Sequence, residues 1–206
     1  MKLIGIMGKA GAGKTTMATI LAARFGYDRI AFGDALKSEI RHFLDAAGVA
    51  YEWRGFYGVL EDKEQILCAP VDKVLDPALQ SVLTRFQLGP DYVLTYRQLM
   101  QTWGTEYRRA QDSNYWTTKL EREIQTCGEQ YIVVDDVRFP DEADTILRNN
   151  GLLVKIVRPG YEANSGGHQS ETALDDANLH HILIWNGGTL AQYEDKICHL
   201  LELTRE

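Results

Sequence analysis

Cysteine is scarce in this chain: Cys68, Cys127 and Cys198 are the only three in 206 residues. Their odd number and scattered spacing exclude a paired framework or a metal cluster built on cysteine, and point to a reducing compartment. Long apolar runs are also missing. None approaches the roughly 18 residues a membrane-spanning helix needs, and glycine interrupts the opening Met1–Gly8 too soon for a signal peptide. A basic excess is lacking as well, with 22 Lys and Arg against 29 Asp and Glu and a net charge of −7. That balance makes long nucleic acid a poor partner, though local arginines can still hold small phosphorylated molecules. There is no internal repeat or low-complexity segment. The expectation is a cytoplasmic protein of one domain, spanning 1–206, with enough apolar residues to form a core unaided.

What is present is an alternation of strand and helix patterns. Leu3–Met7 is a short apolar run ended by glycine and predicts a buried strand. Met17, Ile20, Leu21 and Phe25 give Thr15–Phe25 helical spacing, with Gly26 as the stop. Arg29–Phe32 predicts a second strand and Asp34–Ala47 a helix. Residues 48–95 mix aromatics with Gly and Pro and predict a partly helical insert on the substrate side. Helices are expected over 96–109 and 113–126. Strands are expected at Tyr131–Val134, Leu152–Val157 and Ile182–Trp185. Pro140, Asp141 and Glu142 suit the first turn of another helix. Gly160–Ser170 reads as a mobile loop, and Thr189 with Gln192 has capping-box spacing before the last helix. Strands separated by helices predict an α/β fold of three layers, an approximately five-stranded parallel sheet flanked by helices.

Gly8-Lys9-Ala10-Gly11-Ala12-Gly13-Lys14-Thr15 matches the Walker A pattern and sits between the first predicted strand and helix. Its glycines let the backbone curl so that amides point inward, beside the positive end of the helix. Lys14 can then reach β- and γ-phosphates, and Thr15 can bind Mg²⁺. Asp135 and Asp136 follow the apolar strand 131–134, where an acid anchors the metal or its water shell, and Arg138 lies two residues on.

The segment 97–108 carries a further pattern. At about 100° per residue, Arg97, Gln101, Gly104 and Arg108 fall within roughly 60° of one another, apart from Leu99, Met100, Trp103 and Tyr107. Two guanidiniums without an acid on that face suit a phosphorylated substrate, and the gap at Gly104 would let it approach the backbone.

At these residues the chain resembles the deoxynucleoside monophosphate kinases of tailed bacteriophages. The similar blocks are Gly8–Thr16, Phe32–Lys37, Arg97–Arg109 with Asp112 and Trp116, Val134–Glu142, His168–Glu171 and Trp185–Thr189. The resemblance implies an adenylate-kinase-like P-loop fold with a short lid at about 159–171, and transfer of the ATP γ-phosphoryl group to a deoxynucleoside monophosphate with Mg²⁺. By position it implies Lys9, Ala10, Gly11, Ala12, Gly13, Lys14, Thr15 and Thr16 around ATP, with Arg158 and Asn186 beside it. Thr15 and Asp136 would serve the metal. Lys14, Asp136, Arg108 and Arg138 would act on the transferring group. Asp34, Lys37, Arg97, Gln101, Arg108, Trp116, Arg138 and Glu171 would surround the acceptor. Trp116 would stack on the base, or else belong to the core; His168 would line the lid, or be a plain loop residue. A homodimer is also implied, with no interface located. Two other readings stay open: a P-loop kinase acting on phosphomevalonate or dephospho-coenzyme A, and an ATP-dependent switch without a small acceptor.

Overall fold

The computed structural model describes residues 2–67, 77, 94–128, 130–160, 169–174 and 179–204. Most of the expected insert (68–76 and 78–93) and most of the loop expected as a lid at about 159–171 (161–168, with His168) lie outside the described residues. The described residues form two compact units. The first is Met1–Phe32 with Thr117–Glu206, and the second is Gly33–Trp116.

The first unit holds one sheet of five parallel strands: β1 (Leu3–Met7), β2 (Tyr27–Ile30), β3 (Tyr131–Val137), β4 (Leu152–Val157) and β5 (Ile182–Trp185). Their order is β2-β3-β1-β4-β5, so the first strand is central. Helices α1 (Lys14–Phe25) and α9 (Leu190–Thr204) supply one covering layer. From them Met17, Leu21, Tyr193, Ile197 and Leu201 pack with Ile4, Ile6, Val154, Ile156 and Ile184 in a single buried cluster. Helix α7 (Pro140–Arg148) meets β1 and β4, with Ile146 against Gly5 and Leu153. The sheet is thus sandwiched between helices, the three-layer α/β architecture expected from the sequence. Each fully buried aliphatic side chain contributes about 1.5–3 kcal/mol relative to an exposed one. The chain reverses direction across the sheet around β1, and ligands of such sheets bind at carboxyl strand ends there. No helix among the described residues is long and apolar enough to cross a membrane.

The second unit contains most of α2 (Phe32–Ala46), then α3 (Trp53–Tyr57), α4 (Leu60–Lys63) and α5 (Tyr96–Gln101). A π-helical segment (Thr102–Arg109) and the start of α6 (Tyr115–Cys127) complete it. Ile40, Leu44, Phe56, Tyr96, Leu99, Trp103 and Tyr107 are buried. Their rings meet edge to face, with centroids 4.7 Å apart for Phe43–Trp103 and 4.9 Å for Phe56–Tyr96. A short helix, α8 (Gln169–Thr172), lies in the later part of the chain.

Three expectations are corrected. The second strand ends at Ile30, and α2 starts at Phe32 rather than Asp34. The cause is Asp136, whose Oδ1 accepts the Phe32 N–H at 2.9 Å and satisfies an amide that a helix start leaves open. β3 does not stop at Val134 but runs to Val137. Its pairing with β1 jumps from Gly5↔Val134 to Met7↔Val137, an irregularity that falls on Asp135 and Asp136. Finally, the helix expected over 96–109 changes type at Thr102. The expected capping pair at the last helix is present, with Thr189 N–H bonded to Gln192 Oε1 at 2.9 Å and Gln192 N–H to Thr189 Oγ1 at 3.3 Å.

Candidate functional site

In the first unit, the turn from β1 into α1 takes positive φ at Gly8 (146°), Gly11 (76°) and Gly13 (108°). Contact demands glycine as well as conformation. A Cβ on Gly8 would lie 2.5 Å from the Ile156 carbonyl oxygen, and one on Gly13 would lie 2.6 Å from Asn186 Nδ2. The turn's carbonyls are pinned from outside. Lys14 Nζ donates to the oxygens of Gly8 (2.7 Å) and Lys9 (2.9 Å), and Arg158 Nη1 to that of Gly11 (3.1 Å). Asn186 Nδ2 donates to Ala12 O at 2.8 Å, and the Tyr193 hydroxyl to Gly13 O at 3.1 Å. Burial pushes the Tyr193 phenol well above its ordinary pKa, so it remains a donor. A trans peptide points its N–H opposite its C=O. Pinning Ala12 and Gly13 therefore turns the amides of Gly13 and Lys14 away from these braces, at the positive end of α1. Such an end suits a phosphate. Ala10, Thr15 and Thr16 are exposed there. Gly13→Ala should lower stability by about 1–3 kcal/mol and weaken nucleotide binding; urea melts and an ADP titration check both.

The two acids of β3 have different surroundings. Asp135 is 2% exposed and is held by Arg29 Nη2 at 2.8 Å, a partner from β2. Asp136 is half-buried and bonds the Phe32 amide. Glu142, buried in the first turn of α7, accepts the amides of Arg138 (2.7 Å) and Phe139 (3.2 Å), fixing the backbone that carries Arg138. Thr15 and Asp136 offer hard oxygen donors. Mg²⁺ keeps several waters and takes few protein ligands beside substrate phosphates, so this sparse set fits it.

In the second unit, Lys37 Nζ pairs with Asp34 Oδ1 at 3.1 Å and lies 4.8 Å from the Tyr57 ring centroid. One turn on, the Arg41 guanidinium is 4.5 Å from the Trp53 ring. Trp53, 55% exposed, stacks on Tyr57 with centroids 4.2 Å apart and planes at 16°. The acid-free face expected for 97–108 is not what forms. The π-helical turn is wider than an α-turn, so the 100° projection fails beyond Gln101. Carboxylates also arrive from other elements. Arg97 pairs with Glu64, and Arg108 Nε meets Glu39 Oε1 at 2.5 Å. Burial lowers the Arg108 pKa, but the bond and charge of Glu39 with the nearby Tyr115 and Tyr107 raise it more, so the guanidinium stays charged. Gln101 is half-buried. The expected gap at Gly104 is filled by Leu36, whose Cδ2 would lie 3.4 Å from an added Cβ. Trp116 is 4% exposed and its Nε1–H donates to Gly104 O at 3.0 Å, the placement of a core tryptophan. Glu171 belongs to α8, but its side chain lies outside the described set.

Sequence reasoning missed Glu39, Arg41, Trp53 and Tyr193. Arg41 had a signal, since Asp34, Lys37 and Arg41 recur at helical spacing on α2. Tyr193 had none, because its partner is 180 residues away.

The family model described as deoxynucleotide monophosphate kinase matches residues 80–197, more than half the chain. A protein of Acanthamoeba polyphaga mimivirus, provisionally named a deoxynucleotide monophosphate kinase, is 29% identical over 197 residues, covering 96% of this chain and 94% of its own. Among solved structures, a dephospho-CoA kinase from Campylobacter jejuni superimposes with a TM-score of 0.51 at 13% identity, over 98% of this chain and 96% of the other. TT1252 from Thermus thermophilus gives 0.50 at 19% identity, over 97% and 96%. These two likenesses speak for the fold alone. The pinned glycine turn at the end of a central parallel strand and the match over more than half the sequence lead to one assignment: this chain is a P-loop kinase belonging to the deoxynucleotide monophosphate kinase family.

Proposed function

We propose that this kinase transfers the γ-phosphoryl group of ATP to a deoxynucleoside 5′-monophosphate, giving the diphosphate for deoxynucleotide supply. The observation that carries the acceptor half is Arg108, a charged guanidinium set among aromatic rings within the family-matched stretch. The exposed Trp53–Tyr57 pair beside Lys37 and Arg41 supports an acceptor with a flat base and an anionic group.

In this reading, residues Lys9 to Thr16 cradle the ATP phosphates, with Arg158 and Asn186 holding the turn. Thr15 and Asp136 serve Mg²⁺, which would neutralise charge on the β- and γ-oxygens. Asp34, Lys37, Arg97, Gln101 and Arg108 serve the acceptor, together with Arg138 and Glu171; Trp116 supports them from the core. The acceptor phosphate is anionic near neutral pH and attacks the γ-phosphorus in line without a general base. Catalysis then comes from positioning and from charge stabilisation by Lys14, Arg108 and Arg138. A bacteriophage source, cytoplasmic action and a homodimer belong to the same proposal.

The test is an acceptor panel with ATP and Mg²⁺, read by coupled ADP formation. It comprises the four deoxynucleoside monophosphates, their ribose counterparts, dephospho-coenzyme A and phosphomevalonate. ADP formation dependent on deoxynucleoside monophosphates is expected. Turnover of a non-nucleotide alone would end this reading, and acceptor-independent hydrolysis alone would point to an ATP-driven switch.

A further inference from the structure

Glu39 gathers three donors onto one carboxylate. Its Oε1 accepts from Trp103 Nε1 at 2.9 Å and from Arg108 Nε at 2.5 Å, and its Oε2 accepts the Tyr115 hydroxyl at 2.7 Å. The side chain is 11% exposed, and its donors come from the π-helical segment and the start of α6. Arginine and a carboxylate ordinarily close a two-bond fork, using both oxygens and two guanidinium nitrogens. Here that fork does not form: of the guanidinium nitrogens only Nε meets Glu39, while the Tyr115 hydroxyl bonds the second oxygen.

Arg108 is consequently held at one corner only. Among the described residues, no hydrogen bond reaches its Nη1 or Nη2. Aromatic rings limit its swing, with the guanidinium carbon 4.7 Å from the Tyr107 centroid and 5.0 Å from that of Tyr115. A guanidinium anchored through Nε keeps two parallel Nη–H groups for a second anion, the geometry that phosphate oxygens accept.

We propose that Glu39 is a positioning residue, which locks Arg108 through Nε so that its two Nη groups form a bidentate clamp for the acceptor's phosphate. This rests on the reading that Arg108 serves the acceptor. It adds the device that aims the guanidinium, and explains why an acid faces an arginine meant for an anion: the acid takes the one donor the phosphate does not need.

The test compares wild type, Glu39→Gln, Tyr115→Phe, Arg108→Ala and the double variant Glu39→Gln/Arg108→Ala in steady-state kinetics with ATP and deoxynucleoside monophosphates. The amide of Glu39→Gln can still accept from Trp103 and donate to the Tyr115 oxygen, so the fold should hold, as a thermal melt would show. A charge-assisted bond of about 1.5–3 kcal/mol corresponds to a rise in the acceptor KM of about ten- to a hundredfold. The KM for ATP should stay put, and the double variant should lose little beyond Arg108→Ala alone. Tyr115→Phe, which removes the hydroxyl donor from Oε2, should raise the acceptor KM severalfold, and it decides the matter if Glu39→Gln does not fold. An unchanged acceptor KM in the folded variants, beside an impaired Arg108→Ala, would overturn the positioning role and leave the kinase reading standing. Equal losses for ATP and acceptor would make Glu39 a structural residue and also overturn it. Wild type without deoxynucleoside-monophosphate-dependent ADP formation would remove both.

Discussion

Lys14→Ala is expected to lower kcat about a thousandfold while leaving the fold in place, since one preorganised charge-stabilising donor is worth about 10²–10³ in rate and Lys14 also gathers the donor phosphates. In the structure its ammonium is tied back to the carbonyls of Gly8 and Lys9. Those contacts are only part-buried, and Arg158, Asn186 and Tyr193 pin other carbonyls of the turn independently. Alanine therefore removes the charge without collapsing the turn. Water can satisfy the two vacated oxygens, so the thermal midpoint should fall by a few degrees at most. The decisive measurement is single-turnover ADP formation under saturating ATP, with circular dichroism as the folding control. A kcat within fivefold of wild type would mean that the ammonium does not meet the transferring group.

The glycine turn and the sheet were legible because both depend on local signals. Leu3–Met7, Leu152–Val157 and Ile182–Trp185 are apolar runs bounded by turn residues, and each forms a strand at its expected limits. The positions that misled depend on partners far away in sequence. The β1–β3 irregularity is a property of two strands together, so the run 131–134 could not show that pairing resumes at Val137. The start of α2 at Phe32 follows from an Asp136 carboxylate 104 residues distant. The widening at Thr102 also escapes a 100° wheel, because a wheel assumes one constant turn and the segment carries no proline to break it. The face of 97–108 looked acid-free for a similar reason. Its acids, Glu39 and Glu64, come from α2 and from just beyond α4. Chemistry on one element was readable; its neutralising partners were not.

That same contrast separates the two arginines of the segment and gives the second large effect. Arg108→Ala should lower kcat/KM for the deoxynucleoside monophosphate about a hundredfold or more, because each charge-assisted bond from this part-buried guanidinium to the acceptor phosphate is worth about 1.5–3 kcal/mol and two would be lost. The loss should appear chiefly in the acceptor KM, with the KM for ATP little changed. Arg97→Ala should cost less than about threefold, since exposed ion pairs contribute about 0–1 kcal/mol. Arg97 is 25% exposed and its partner Glu64 is 54% exposed, so water already competes for both. Arg108 is 18% exposed with a partner more buried still, and three aromatic rings lie within 6 Å of its guanidinium carbon. Removing it leaves the Glu39 charge facing an emptied pocket, which repels an incoming phosphate as well as failing to attract it. Sensitivity should therefore exceed what one lost contact would give. If the two alanine variants had equal acceptor KM values, the aromatic setting of Arg108 would be packing alone, and the acceptor phosphate would have to be sought among Lys37, Arg41 and Arg138.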